Sequence, residues 1–188
     1  MDAAIEELCR KGYDAASVSD ICEEAGVSKG AFYHHFPSKQ ALFLAIMQDW
    51  LRGIDTQLFA KRIPEKNVPQ SIKDMGSTLG VIFQAASGQM PMFMEFMVQA
   101  RRDKEVWKAV IAPYRQYQRS FSDLINEGKN EGSFSSDVDV EEAAWVLISL
   151  AVGILLQGIV DPGAADWERV TNKGVQMILD GLQQRREA

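Results

Sequence analysis

Apolar positions recur along this chain with the spacing of α-helices, and the alternation typical of strands is scarce. Val18, Ile21, Cys22 and Ala25, for example, fall at i, i+3, i+4 and i+7, which is one stripe of a helix. The same period continues along the chain, so the sequence predicts an all-α protein of about nine helices. The predicted helices cover about 2–11, 18–25, 29–36, 39–60, 70–87, 91–102, 104–128, 140–160 and 166–185.

Capping signals divide the first forty residues or so into short helices. Ser17 followed by Asp20 forms a capping-box pattern, and Gly26 suits the left-handed position that ends a helix. Ser28 can cap the next helix, and Pro37 stops it. Three short helices with a glycine-containing turn between the second and third are typical of a helix-turn-helix. In that motif the last helix enters the major groove of DNA.

A change in composition at residues 61–70, KRIPEKNVPQ, separates a small N-terminal part from a larger C-terminal part. Two prolines among several charged residues are typical of a linker rather than of a helix. We therefore predict a helix-turn-helix domain in residues 1–45, with a connecting helix that continues to about 60. Residues 46–188 would form a larger helical domain.

The chain is acidic as a whole, which limits how it could meet a polyanion. Its formal net charge is −6 at pH 7, and residues 1–60 hold five Lys or Arg against nine Asp or Glu. A basic field over the whole surface is therefore excluded, and any anion-binding site is local. Residues 25–48, however, contain no acidic residue. Repulsion from phosphate groups favours such a gap, although a coincidental apolar stretch leaves the same pattern.

The third predicted helix would present two different faces. Phe32 and Phe36 lie one turn apart and, together with Val27, should point into the core of the small domain. The opposite face carries Lys29, which can donate to guanine O6 or N7 or to a phosphate. It also carries Gly30, next to an alanine, so that the helix backbone can approach base edges closely.

The segment AGVSKGAFYHHFPSK, residues 25–39, resembles the turn, recognition helix and following cap of the TetR family of bacterial repressors, without a gap. The resemblance covers residues 1–55 closely and the remainder only in helical layout and length. It implies an all-helical homodimer on a palindromic operator, with a C-terminal domain for dimerisation and for a small inducer that moves the two heads apart. Members usually have a basic arm before the first helix, whereas Met1 already lies within the predicted one.

The resemblance also implies which residues lie at the DNA, and we add His35 to them as the neighbour of His34. Alternatives stay open for some, because Tyr33 could be an ordinary surface tyrosine, Lys39 a solvated lysine and His35 a packing residue. The candidate DNA-binding residues are Ser17, Ser28, Lys29, Gly30, Ala31, Tyr33, His34, His35 and Lys39.

Residues 87–102 hold four of the eight methionines, and aromatic residues follow along the next helices. Methionine adapts to irregular apolar partners, so this region could line a cavity for a small molecule, with ordinary core packing as the alternative. Glu95 could meet a cationic ligand or simply be solvated. The candidate ligand-binding residues are Phe83, Met94, Met97, Trp107, Tyr114, Tyr117, Phe121 and Trp145.

The last two predicted helices, at about 140–160 and 166–185, favour a homodimer interface. Residues 143–160 are nearly all apolar, but their flanks are acidic and offer no Lys or Arg anchor, so a helix buried in protein is favoured over a membrane span. Ser149 and Gly153 lie four apart and would permit close approach of another helix. Two such helices from each of two subunits would form a four-helix bundle.

These patterns favour a cytoplasmic, ligand-responsive dimeric regulator, a repressor by its resemblance, with operator DNA and an apolar or amphipathic inducer as partners. The alternative is a small-molecule or lipid-binding helical protein with a vestigial helix-turn-helix. An enzyme is not favoured, because the sequence has no phosphate-binding glycine loop, no metal-spaced His/Cys cluster and no nucleophile beside a base. We accordingly predict no cofactor and no metal.

Overall fold

The computed structural model describes residues 1–59, 67–86 and 89–183, and within them the chain forms nine α-helices and no β-strand. The predicted all-α class is therefore confirmed. The six residues 61–66 of the predicted linker lie outside the described residues. The helices are α1 (Asp2–Lys11), α2 (Val18–Glu24), α3 (Lys29–His35), α4 (Lys39–Phe59), α5 (Val68–Ala86), α6 (Met90–Ala100), α7 (Lys104–Asn130), α8 (Val140–Val160) and α9 (Trp167–Leu182).

The predicted capping signals act at the N-terminal ends of α2 and α3. The Ser17 hydroxyl accepts from the Asp20 amide at 3.1 Å, and the Asp20 carboxylate accepts from the Ser17 amide at 2.8 Å, which completes a capping box. The Ser28 hydroxyl accepts from the Ala31 amide at 3.1 Å. Between the two helices Gly26 has a φ of 64°, a left-handed conformation that glycine adopts without steric cost. Local chemistry thus fixes the helix-turn-helix.

By contacts the chain splits into two compact units, of which the first comprises Met1–Gly53 and Ala86–Tyr114. Its core contains three aromatic rings from three elements: Tyr13, Phe43 of α4 and Phe96 of α6. The rings of Phe43 and Phe96 stack at 4.1 Å, and the Tyr13 ring meets their edges at 5.3 and 4.9 Å. The helix-turn-helix therefore shares a core with α6, although the sequence suggested a boundary after residue 45.

The prediction for Val27 is wrong, because its side chain is 47% exposed. Its amide donates to the carbonyl of Cys22 at 2.9 Å, so Val27 belongs to the turn that ends α2 and not to the period of α3. Phe32 is buried and Phe36 packs at the edge of the core, as predicted.

The second unit comprises Ile54–Ala85 and Arg115–Ala188, and its core surrounds Phe134 and Leu179. Gly128 has to be glycine, because an added Cβ would lie 2.3 Å from the Phe134 ring. Helices α8 and α9 pack on each other within this unit, where Gly174 of α9 lets Leu150 of α8 approach. Among the described helices, α8 alone is long and apolar enough to cross a membrane, with a mean hydropathy of 2.3, and a third of that apolar stretch is buried in the chain.

Candidate nucleic-acid interface

Helix α3 is short and almost entirely exposed. Of its seven residues only Phe32 is buried, and Phe32 anchors the helix to the core of the first unit. The Tyr33 side chain is 53% exposed and meets the Phe32 ring edge-on at 5.2 Å, which orients the phenol. His34 and His35 lie side by side at 5.2 Å, both exposed. The helix therefore exposes a lysine, two small residues, a tyrosine and two histidines to solvent. These are Lys29, Gly30, Ala31, Tyr33, His34 and His35.

The two helix N-termini of the motif differ in charge. At α2 the Ser17 amide already donates to the Asp20 carboxylate. Hydrogen bonds from the Ser17 hydroxyl, the Ser17 amide and the Lys11 ammonium lower the pKa of Asp20 to about 2. An anion already covers this end, so the predicted phosphate contact of Ser17 would have to use the hydroxyl beside a carboxylate. The end of α3 carries Ser28 and no acidic residue in its first turn. Phosphate therefore fits α3 better than α2.

Several acidic side chains of the first unit are already paired. Glu7 is buried and forms ion pairs with Arg10 and, at 2.8 Å, with Lys11. The Lys11 hydrogen bond, followed by that of Arg10, lowers the pKa of Glu7 against the opposing effect of burial. Lys11 also lies 3.1 Å from Asp20. These ion pairs leave the net charge of the unit unchanged, so it is salt screening beyond about 10 Å that limits the repulsion between its acidic groups and DNA.

Lys39 has a role inside the protein that the sequence did not indicate. Its ammonium donates to the carbonyls of Tyr13 and Ala16 at 2.6 and 2.8 Å, reaches that of Asp14 at 3.4 Å, and lies 4.5 Å from the centre of the Tyr13 ring. An ammonium has three N–H donors, and these contacts use them. Lys39 can therefore add positive charge near DNA, but a direct phosphate hydrogen bond would have to replace one of these bonds.

Comparison with known proteins places this architecture in a family. Residues 1–46 match the model described as bacterial regulatory proteins, tetR family, and residues 83–184 match that of the BetI-type transcriptional repressor, C-terminal. The second match alone spans more than half of the chain. The chain belongs to the TetR family of bacterial transcriptional regulators.

Named relatives and solved structures extend over most of this TetR-family chain. The HTH-type transcriptional regulator UidR of Escherichia coli K12 is 24% identical over 97% of the chain and 90% of its own length. The repressor KstR2 of Rhodococcus jostii RHA1 is 26% identical over 97% and 88%. A transcriptional regulator from Pseudomonas aeruginosa PAO1 superposes with a TM-score of 0.79 at 22% identity, covering 96% and 86%. FadR of Bacillus subtilis in complex with stearoyl-CoA gives 0.73 at 18% identity, covering 97% of each chain, and such likenesses show the fold.

The ligand-binding residues predicted for this TetR-family chain fall into both units. In the first unit Met97 and Trp107 pack against the core, with Arg101 5.4 Å from the Trp107 ring, while Met94 and Tyr114 are exposed. In the second unit Tyr117 and Phe121 pack against the core and Trp145 is 40% exposed. The side chain of Phe83 lies outside the described residues. The ligand-binding set stays a prediction.

A small cavity of about 10 Å³ lies within the first unit, between α4 and the start of α6. It has room for no more than about one water molecule, so a ligand would have to displace its walls. The lining is apolar and aromatic except for one glutamine. Half of it comes from the methionine-rich segment 87–102, which the sequence suggested as a cavity wall, and the α4 residues were not predicted. The lining residues are Phe43, Ile46, Met47, Trp50, Gln89, Met90, Met92 and Phe93.

Large apolar residues are exposed on α8, whereas most exposed residues of α9 are polar or charged. Val152 is 41% exposed, and a Cβ added to the adjacent Gly153 would meet nothing within 4 Å among the described residues. Most of the apolar residues of α9 pack inside the unit, so its exposed apolar contribution is limited. The exposed large apolar residues of the two helices are Trp145, Val146, Val152, Val160, Val170 and Met177.

Proposed function

We propose that this chain is a cytoplasmic, dimeric, ligand-responsive repressor that binds a palindromic operator through α3. The observation that carries the proposal is the exposure of six of the seven α3 residues on a helix that has no acidic residue. Such a surface would meet phosphate without charge repulsion, and the Ser28 cap fixes the N-terminal end of the helix. Membership of a family of transcriptional regulators supports the same function.

Each exposed residue of α3 has a chemical role in this proposal. Lys29, at the first position of the helix, would donate to guanine O6 or N7 or to a phosphate. Gly30 and Ala31 would let the backbone approach base edges, with the Ala31 methyl against a thymine methyl. Tyr33 and the two adjacent histidines would donate to phosphate oxygens, which fix register without reading sequence.

A second copy of the chain is the proposed occupant of the apolar surface on α8 and α9. A C2 contact would place the same residues against each other, and Gly153 with Ser149 would let two α8 helices approach closely. Two α3 helices could then enter major grooves about 34 Å apart on one face of the duplex. A palindromic operator is the DNA counterpart of that symmetry.

The proposed inducer is a small apolar or amphipathic molecule. The methionine-rich α6 and the aromatic residues predicted to bind it support this class. One structural neighbour, FadR of Bacillus subtilis, was solved with stearoyl-CoA, which has an apolar tail and a charged head. The ligand would shift the population toward a spacing of the two heads that no longer matches the operator. Residues that contact the inducer are proposed to be those predicted from the sequence.

A double substitution tests the assignment of α3. In Lys29→Ala combined with Tyr33→Phe, operator affinity should fall at least about tenfold, because a charged donor and a hydroxyl donor are lost from each of two half-sites. The duplex would cover the palindrome nearest the coding region, with a scrambled duplex beside it. Lys104→Ala, which removes one exposed lysine of α7, is the charge control and should bind as the wild type does.

The same experiment separates the two functions. Helicity and dimerisation should be unchanged in the double variant, so that lost affinity reports contact rather than folding. Unchanged operator binding would remove α3 as the recognition helix. A wild type that binds no duplex but does bind an acyl chain would favour the alternative, a lipid-binding protein with a vestigial helix-turn-helix.

A further inference from the structure

Glu95 of α6 binds the loop that leads from α1 into α2. One carboxylate oxygen accepts from the Tyr13 amide at 2.7 Å, and the other accepts from the Asp14 amide at 3.1 Å. On the next turn of α6, the Gln99 amide donates to the Asp14 carboxylate at 2.6 Å. All of these groups belong to the first unit, although about eighty residues of chain separate the partners.

The loop is held from its other side by Lys39. The peptide group between Tyr13 and Asp14 donates the Asp14 N–H to the Glu95 carboxylate, while its carbonyl, that of Tyr13, accepts from the Lys39 ammonium at 2.6 Å. An anion on the donor side and a cation on the acceptor side polarise this stretch in the same sense. Hydrogen bonds to charged groups are about twice as strong as neutral ones, so the loop has one strongly preferred position.

Gly12 is shaped to admit the carboxylate. Its φ of 83° is a left-handed conformation, and an added Cβ would lie 2.9 Å from the Glu95 oxygen that accepts from the Tyr13 amide. A side chain at this position would therefore strain the backbone and push the carboxylate away. The close approach of α6 to the loop thus depends on Gly12 in the loop and on Glu95 in α6.

The loop ends directly at the recognition motif. It leads to Ser17, the N-cap of α2, and α2 packs on α3 within the first unit. A displacement of the Tyr13 and Asp14 amides would therefore carry the start of α2 with it. At its other end α6 supplies Met90, Met92 and Phe93 to the wall of the small cavity.

We propose that Glu95 is a positioning residue for DNA binding, whose carboxylate ties α6 to the loop before α2 and so holds α3 in register with the operator. This inference rests on the proposed DNA-binding function. A displacement of α6 would then be transmitted to the start of α2 through the Glu95 carboxylate. The Glu95 carboxylate, for which the sequence left a cationic ligand open, accepts from the loop with both of its oxygens.

Because Glu95 is negatively charged, its removal has opposite expected effects on DNA affinity under the two explanations. Removing a carboxylate from a DNA-binding protein strengthens binding to a polyanion by general electrostatics. A positioning role predicts the opposite result for a specific site. Glu95→Gln keeps the shape and one acceptor oxygen, and Glu95→Ala removes both. Glu105→Gln is the matched control, because Glu105 is an exposed acid of the same unit whose side chain pairs with Lys108.

The full-length variants would be titrated with the palindromic duplex and with a scrambled duplex at one fixed salt concentration. For Glu95→Gln the operator affinity should fall at least about fivefold, because the variant loses part of the free energy of a charge-assisted hydrogen bond. Its affinity for the scrambled duplex should stay equal or rise slightly, as should both affinities of Glu105→Gln. Hydrogen exchange at the amides of Tyr13 and Asp14 should become faster in Glu95→Gln alone.

Three results would overturn the inference. If Glu95→Gln binds the operator as tightly as Glu105→Gln does, the carboxylate does not position α3. A parallel loss on both duplexes would mean a general loss of the folded unit, and unchanged amide exchange would mean that the carboxylate does not hold the loop. Should Glu95→Ala not fold, Glu95→Gln decides alone. If the wild type itself binds no operator, the proposed DNA-binding function fails. That result is distinct from a failure of the Glu95 inference, in which the wild type binds and Glu95→Gln binds equally well.

Discussion

The two units of this protein differ in what they leave exposed. In the first unit the exposed helix α3 carries small, basic and polar side chains, while its apolar Phe32 is buried. In the second unit the exposed side of α8 carries Trp145, Val146 and Val152, although a core is available to bury them. The first surface suits a hydrated polyanion and the second suits another apolar surface. In the proposed function the first surface binds DNA and the second binds another copy of the chain.

Glycine substitutions are a direct way to break that contrast. Gly30 of α3 and Gly153 of α8 each have room for a Cβ within the described chain, where Gly30 would meet the Ser28 hydroxyl at 3.7 Å. Gly53 of α4 and Gly80 of α5 are equally open, so openness does not by itself mark a binding surface. These two serve as matched controls, because they lie on no proposed interface.

The largest effect is expected for Gly153→Leu. The chain itself has room for the new side chain, but the opposing copy does not, and overpacking of an interface costs about 1–3 kcal/mol at each of two symmetric positions. Dimer affinity should therefore fall at least about thirtyfold by the same arithmetic. Sedimentation at micromolar concentration should show monomer for Gly153→Leu and dimer for Gly80→Leu. An intact dimer in Gly153→Leu would show that α8 does not pack this way.

An effect with two opposite signs is expected for Gly30→Ala. Helix stability should rise by about 0.5–1 kcal/mol, because alanine loses less conformational entropy in a helix than glycine does. Operator affinity should nevertheless fall about tenfold, since the methyl occupies the space into which base edges would come. Gly53→Ala should give the stability gain without the loss. Equal operator binding by the two variants would mean that α3 does not approach the bases at Gly30.

The smallest effect is expected for Asp20→Asn, and it depends on pH. The pKa of Asp20 is lowered from 3.8 to about 2 by Ser17 and Lys11, so its stabilising contribution is complete above pH 3.8 and is lost as the pH falls toward 2. The wild type should therefore exceed Asp20→Asn in free energy of unfolding by a constant amount at pH 7 and 4.5, and by less at pH 2.5. Urea unfolding at these pH values measures the difference. A gap that stays constant down to pH 2.5 would contradict the depressed pKa.

What could be predicted from the sequence follows the distance between interacting residues. The capping box of Ser17 and Asp20 and the turn at Gly26 each involve residues close together in the chain, so the sequence pattern alone predicted them. Helical periodicity failed for Val27, which lies in a turn. The internal contacts of Lys39 and Glu95 could not be predicted, because their partners lie some twenty-five and eighty residues away and no local spacing reports such contacts. The proposed ligand residues carry no geometric signature in sequence at all.

The central claim is that α3 is presented to DNA in duplicate. Its most direct test is the operator affinity of the wild type as a function of salt concentration, with the number of chains per duplex counted in the same titration. The account predicts two chains per duplex and a logarithmic affinity that falls linearly with the logarithm of salt, with a slope of at least about −4, or two or more phosphates for each chain. One chain per duplex, or an affinity that does not change with salt, would contradict it.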